Sequence, residues 1–201
     1  MTGLQVLVRA QGLGFACPDH VVLRDLDFAL CPGLSFVRGG DGRGKTTLLR
    51  LLAGTSKPTA GTLVRDAGTV FHETLSDAAL DDVPARDWLQ RCRGRYPGWQ
   101  DAPVDDLIDA FSLRPHLDKA FHMLSTGSRR KVGLVSAMAS GAQLTLLDTP
   151  FSGLDAPSRR APCAMLEKAA CDDARAWVLA DYDVPHDLGT VSFACVIDLG
   201  D

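Results

Sequence analysis

The sequence has no excess of positive charge. Its 21 lysines and arginines face 25 acidic residues, for a formal net charge of -4, so the clustered cations that grip a nucleic-acid backbone are missing and no nucleic-acid partner is expected. The one basic cluster, Arg129, Arg130 and Lys131, is too small to supply such a field. Long apolar runs are also absent. None approaches the roughly 18 to 20 uncharged residues that span a bilayer, and Met1 to Ala10 lacks the basic-then-apolar order of a secretory leader. A cytoplasmic protein is expected on these grounds. Six cysteines, at positions 17, 31, 92, 163, 171 and 195, show no paired metal-ligand spacing, and they read as free thiols, mostly core filler. Neither low-complexity tracts nor internal repeats stand out. With 46% hydrophobic, 23% charged and 6% aromatic residues over 201 positions, the chain suits one compact unit with room for an inserted subdomain.

Leu4 to Ala10 mixes apolar and polar residues as a strand does, and Val21 to Leu30 repeats the pattern with Leu26, Phe28 and Leu30 alternating. Together they suggest an antiparallel region. Leu34-Ser35-Phe36-Val37 then meets a glycine cluster, after which Lys45 to Ala53 carries leucines at 48, 49, 51 and 52 with helical spacing. The order is strand, loop, helix. Lys57 to Gly61 is a turn, because proline presets one dihedral and glycine supplies a positive one, and a short strand through Leu63 and Val64 should follow. From about Glu73 to Gly141, helical pieces punctuated by Pro84, Pro97, Pro103 and Pro115 suggest an inserted helical subdomain, in which Val104 to Phe111 is spaced as an amphipathic helix. Leu144 to Leu147 reads as a buried parallel strand delivering Asp148 at its carboxyl end. Ala176 to Ala180 and Phe193 to Leu199 complete an α/β sheet.

The run Gly39-Gly40-Asp41-Gly42-Arg43-Gly44-Lys45-Thr46, with Thr47 behind it, fits the Walker A pattern between a strand and a helix. Its glycines permit dihedrals that let successive N–H groups curl round phosphate oxygens, while the helix N-terminus adds partial positive charge. Lys45 would reach the outer phosphates, and Thr46 would put its hydroxyl on magnesium. The alternative is a glycine-rich turn that merely caps a helix. Asp148, at the end of its apolar strand, is the second partner for magnesium, directly or through water. Its plain alternative is a cap or turn residue.

Leu124-Ser125-Thr126-Gly127-Ser128 resembles the signature motif of ATP-binding cassette (ABC) proteins. Leu146-Leu147-Asp148-Thr149-Pro150-Phe151-Ser152-Gly153-Leu154-Asp155 resembles the family's Walker B segment running into its D-loop. The resemblance implies a P-loop nucleotide-binding domain over residues 1–201, with a RecA-like core, an antiparallel β region and the helical subdomain at about 73–141. It implies Mg-ATP binding and head-to-tail pairing with a second such domain, as a homo- or heterodimer. It also implies separate membrane-spanning subunits, with the chain peripheral at the inner face of the membrane through them. Ser125 and Gly127, opening a helix, would offer a hydroxyl and backbone donors to a γ-phosphate arriving from outside. Ser125 also reads as a plain helix cap, and the two roles are compatible. The basic residues behind it gain nothing from the helix dipole there and read as a solvated face.

The chain departs from the family at the hydrolytic positions. Thr149 stands where the family usually has a glutamate, and threonine is no base near neutral pH. Tyr182 falls where a histidine usually touches the γ-phosphate. It can donate a hydrogen bond but carries no positive charge. The Q-loop glutamine position reads as Glu73, with His72 beside it in an alternative register, and the position of the adenine-stacking aromatic falls on Cys17, with Phe15 two residues earlier. Phe15 also reads as a core residue. The expected function is the ATP-binding subunit of an ABC transporter with slow hydrolysis. The competing reading is a hydrolysis-deficient ATP-binding switch, or the regulatory half of an asymmetric ABC heterodimer. A DNA-directed relative is disfavoured by the acidic charge and by the lack of a long coiled-coil insertion.

Overall fold

The computed structural model describes residues 5–72, 78–189 and 191–200, and the chain divides into two units. The described residues of 1–72, 143–150 and 166–201 form one, and those of 73–142 and 151–165 the other.

In the first unit, β1 (Val8–Cys17) and β2 (His20–Leu30) form an antiparallel pair closed by a tight turn, with Cys17 opposite His20. The strand expected at Leu4 to Ala10 is displaced: it begins at Val8 and continues past two glycines that resemble a break. The ladder is irregular there, and Gly12 turns out at φ +56° with its amide donating to Asp27 Oδ1 at 2.8 Å. A bulge absorbs the glycine, so the strand continues. After β3 (Gly33–Arg38), β4 (Ala60–Arg65) returns to pair antiparallel with β1, giving the order β2-β1-β4.

The second sheet of this unit is parallel and contains β3, β5 (Val70–Phe71), β6 (Leu144–Asp148), β7 (Ala176–Asp181) and β8 (Cys195–Asp198), in the order β5-β6-β7-β3-β8. Its central strands are nearly continuous apolar runs because both faces are covered. Gly33 to Val37, Leu144 to Leu147 and Ala176 to Ala180 are all buried, and only the last residue of each strand reaches the surface. That residue is Arg38, Asp148 or Asp181. The polar groups of the sheet therefore gather at its carboxyl edge, where open α/β sheets bind ligands. Against one face packs α1 (Lys45–Ala53), whose Leu48, Leu49 and Leu52 are fully buried with Val37, Leu146 and Val178. Each such burial stabilises by about 1.5–3 kcal/mol relative to exposure, and together they fix the start of α1 against the strand ends.

The second unit contains α2 (Ala85–Arg95), α3 (Ala102–Ala110), α4 (Thr126–Ala139) and most of α5 (Ala156–Ala170). Trp88 anchors it, its ring edge-on to Phe121 at 6.1 Å and its indole N–H donating to Ser136 Oγ at 3.1 Å. The amphipathic segment expected at Val104 to Phe111 forms α3, starting two residues earlier with Pro103 in its first turn, where a missing N–H costs nothing. Neither β5 nor α5 was expected. β5 has only two residues, too few to show a period, and α5 holds Pro157 and the interior Pro162, which disguise a helix as a break.

Candidate functional site

Gly39 and Gly40 leave the end of β3 buried, whereas Asp41, Gly42 and Arg43 are exposed. Arg43 N–H donates to Gly40 O at 3.4 Å and Gly40 N–H to Gly200 O at 3.0 Å, which closes the loop and ties its base to the end of the sheet. Gly44 has φ +94°, and a β-carbon there would stand 2.8 Å from Leu23 Cδ2 and 2.9 Å from Val22 Cγ1. Only glycine meets both constraints. The first hydrogen bond of α1 runs from Leu48 N–H to Gly44 O at 2.8 Å, and the amides of Lys45, Thr46 and Thr47 meet no protein acceptor among the described residues. Three N–H groups and the positive end of a helix thus point out of the loop, a cradle that suits an anion.

Lys45 is only 8% exposed. Its Nζ donates to Gly39 O at 2.6 Å and Gly40 O at 2.9 Å, which offsets the cost of burying the charge. An ammonium has three donors, so one remains for a phosphate oxygen. Next along α1, Thr46 Oγ1 donates to Asp148 Oδ2 at 2.6 Å, across 102 positions of sequence. A hydroxyl and a carboxylate, both hard oxygen donors of the kind magnesium prefers, therefore share one spot beside the anion cradle. These residues fit a Mg-nucleotide.

Beyond Asp148 the hydrolytic positions look different. Thr149 sits at φ +43° with its amide donating to Ala180 O at 2.8 Å, a left-handed conformation that a β-branched residue rarely adopts. Sequence reasoning missed this strain, because nothing in a threonine announces its dihedral. Tyr182 lies just past β7 and is 53% exposed, with its amide bonded to the Asp181 side chain at 2.8 Å. His72 follows β5, half-buried; burial pushes its pKa below the usual 6.5, with Asp148 opposing that shift and Arg50 adding to it. Glu73 lies outside the described residues. Phe15 packs partly buried against the core cluster, while Cys17 is exposed.

The other predicted residues belong to the helical unit. Ser125 caps α4, its Oγ accepting from Ser128 N–H at 3.1 Å. A β-carbon on Gly127 would stand 2.6 Å from Gly153 O, so this position is glycine because the backbone at Gly153 passes against it. Asp155 accepts from Ser158 N–H at 3.0 Å at the start of α5, and hydrogen bonds from the Ser158 hydroxyl and amide hold its carboxyl below the usual range. The basic cluster expected as a solvated face is half-buried instead, with Arg129 paired to Asp81 at 3.6 Å. A cleft of about 340 Å³ in the same unit is lined by Arg86, Arg93, Arg114 and Trp99 among others. Its guanidinium groups are already paired with Asp118, Asp101 and Asp109, so they are charge-compensated and not set to receive an anion.

A parallel sheet, a glycine loop opening a helix, a buried lysine and a carboxylate from a neighbouring strand end define a P-loop nucleotide-binding domain with a RecA-like core. More narrowly, the chain belongs to the ATP-binding subunits of ABC transporters: the family model described as "ABC transporter" matches residues 23–152. It is 36% identical over 154 residues to the cytochrome c biogenesis ATP-binding export protein CcmA of Sphingopyxis alaskensis, covering 76% of this chain and 78% of that protein. It is 32% identical over 182 residues to the aliphatic sulfonates import ATP-binding protein SsuB 1 of Rhodococcus jostii, covering 88% and 73%. Among solved structures, an ABC transporter ATP-binding protein from Pyrococcus furiosus superposes with a TM-score of 0.74 at 19% identity, covering 96% of each chain. At that identity the likeness speaks for the fold alone. No helix among the described residues is long and apolar enough to cross a membrane.

Proposed function

We propose that this ATP-binding subunit holds Mg-ATP with Lys45 and the amides following Gly44 on the phosphates, and with Thr46 and Asp148 on magnesium. Bound magnesium would neutralise phosphate charge. The observation that carries this reading is the 2.6 Å hydrogen bond between Thr46 and Asp148, which joins the two motifs at the mouth of the cradle. Gly39 to Gly44 supply the loop, with Asp41, Gly42 and Arg43 on its exposed rim, and Thr47 adds its amide. In a second copy or a related domain, Ser125 and Gly127 meet the γ-phosphate from outside, so that nucleotide draws two domains together head to tail. Membrane-spanning subunits then attach the pair to a membrane and use its closing and opening for transport. Hydrolysis is slow, because Thr149 offers no base and Tyr182 no positive charge. The same two replacements, Thr149 and Tyr182, favour the switch reading, a domain that closes on ATP and hydrolyses it slowly or not at all. The names of the relatives cover both export and import, so they support neither a substrate nor a direction.

The test is equilibrium Mg-ATP binding by calorimetry beside steady-state hydrolysis on the purified chain. Tight binding with little turnover is expected. Lys45→Ala should abolish tight binding, because a single buried ammonium opposes several phosphate charges. Asp148→Asn should weaken binding with magnesium more than binding without it. Unchanged affinity in Lys45→Ala would sink the site assignment.

A further inference from the structure

We infer that Asp198 is a positioning residue of the phosphate site, acting through Gly200 and Gly40 to aim the carbonyl that holds the Lys45 ammonium. The inference rests on the Mg-ATP site proposed above. The peptide joining Gly39 to Gly40 is bonded at both ends: its N–H donates to Gly200 O at 3.0 Å, and its C=O accepts from Lys45 Nζ at 2.6 Å. A trans peptide is flat, with N–H and C=O pointing opposite ways, so whatever fixes the one aims the other. Left to itself this plane would be free to turn, because both residues flanking it are glycines, which have the widest choice of dihedrals. Gly200 O removes that freedom. It also strengthens the acceptor, since an amide whose N–H is hydrogen-bonded is polarised along the chain of bonds.

What puts Gly200 O there is the turn after β8. Leu199 N–H donates to Arg38 O at 2.8 Å, which carries the pairing of β3 with β8 one step past Asp198. Gly200 then turns at φ +80°, and its N–H donates to Asp198 Oδ1 at 2.8 Å. An aspartate that bonds the amide two residues on is a local device for shaping a turn. Its plainer role would be an ion pair, since Asp198 stands opposite Arg38 in the register. The Arg38 guanidinium, however, pairs with Asp183 at 3.2 Å, and the Asp198 carboxylate turns to its own chain. Gly39 leaves room for the turn to lie against the loop: a β-carbon there would stand 3.1 Å from Leu199 Cβ and 3.5 Å from Gly200 O. Gly39 and Gly40 are buried, so without Gly200 the Gly40 amide would be left unpaired away from water, and the loop would shift to satisfy it. An exposed carboxylate on β8 is thus linked, through one turn and one peptide plane, to the cation proposed for the outer phosphates.

The experiment compares the full chain with Asp198→Ala, which frees the Gly200 amide, and Asp198→Asn, whose side-chain oxygen accepts the same bond; Lys45→Ala is the control. Calorimetry measures Mg-ATP affinity, and hydrogen exchange followed by NMR reads the Gly40 amide beside those of α1. Asp198→Ala should weaken Mg-ATP binding roughly three- to tenfold, the worth of one hydrogen bond, and speed exchange at Gly40 while α1 stays protected. Asp198→Asn should recover most of both losses. Unaltered affinity in Asp198→Ala, while Lys45→Ala abolishes binding, overturns the role of Asp198 alone. Equal losses in the alanine and asparagine variants would make the charge responsible instead of the turn, and faster exchange throughout α1 would mark a general loosening; either result overturns it too. Failure of the unmodified chain to bind Mg-ATP overturns the site reading itself. Should Asp198→Ala not fold, Gly200→Ala, which strains the same turn at φ +80°, takes its place. It should lose Mg-ATP affinity and Gly40 protection together, and retention of either refutes the proposal.

Discussion

Thr149 brings two anomalies together: a side chain that cannot take a proton, and a left-handed backbone at φ +43°. For a β-branched residue that conformation costs roughly 1–2 kcal/mol, whereas asparagine visits it readily. Thr149→Asn should therefore raise stability by about 1 kcal/mol in chemical denaturation, with nucleotide affinity unchanged. Thr149→Glu tests the chemistry instead, and it should raise turnover by up to roughly a hundredfold if the missing base is the main defect. No increase would mean that the defect lies elsewhere, Tyr182 being next in line. His72 carries a pH signature of its own. Its pKa is lower in the folded chain than the usual 6.5 because burial disfavours the cation, so the unfolded chain takes up the proton first as pH falls. The folded state therefore loses stability below about pH 6.5, down to the folded pKa, and keeps it above. Denaturation midpoints of the chain should fall faster below pH 6.5 than those of His72→Leu. Parallel curves would mean that the ring titrates normally.

At the level of elements, α4 tests whether a cap can also be a ligand. Ser125 satisfies the Ser128 amide at its start, and removing such a cap costs about 1 kcal/mol. Ser125→Ala should lose that much stability. Ser125→Asp should keep it, because aspartate caps equally well, yet its negative charge would meet the γ-phosphate brought by a partner. Normal melting with lost ATP-driven association in Ser125→Asp is the expected pair of results; retained association would reduce Ser125 to a cap. Much of the fold was legible at this scale. The glycine cluster between an apolar run and a leucine-rich helix announced β3, the loop and α1, because loop chemistry and helix period are local. The apolar run before Asp148 announced β6 in the same way. What stayed hidden depends on partners distant in sequence. β5 exists only through its pairing with β6, α5 is disguised by its prolines, and the need for glycine at 127 comes from a carbonyl at 153. The dihedral of Thr149 and the charges around His72 are likewise products of packing, which residue spacing does not reveal.

Across the whole molecule, the proposed pairing makes a demand that no single variant can test. If each nucleotide lies between the loop of one domain and the signature of another, a symmetric pair has two composite sites, and each chain contributes a different half to each. Lys45→Ala spoils the loop half and leaves the signature intact; Ser125→Arg does the reverse, setting a guanidinium where the partner's phosphate should dock. Neither variant alone can assemble a complete site, since each of its two sites would contain one damaged half. Mixed in equal amounts, however, they can form a heterodimer in which the intact loop of Ser125→Arg faces the intact signature of Lys45→Ala. One of its two sites is then whole and the other doubly damaged. Light scattering with Mg-ATP should therefore find association in the unmodified chain, none in either variant alone, and partial, weaker association in the mixture. A chain that binds Mg-ATP yet stays monomeric would point to a different partner domain and the asymmetric heterodimer. If the unmodified chain pairs and the mixture does not, the halves of each site come from the same chain, and the head-to-tail arrangement is wrong.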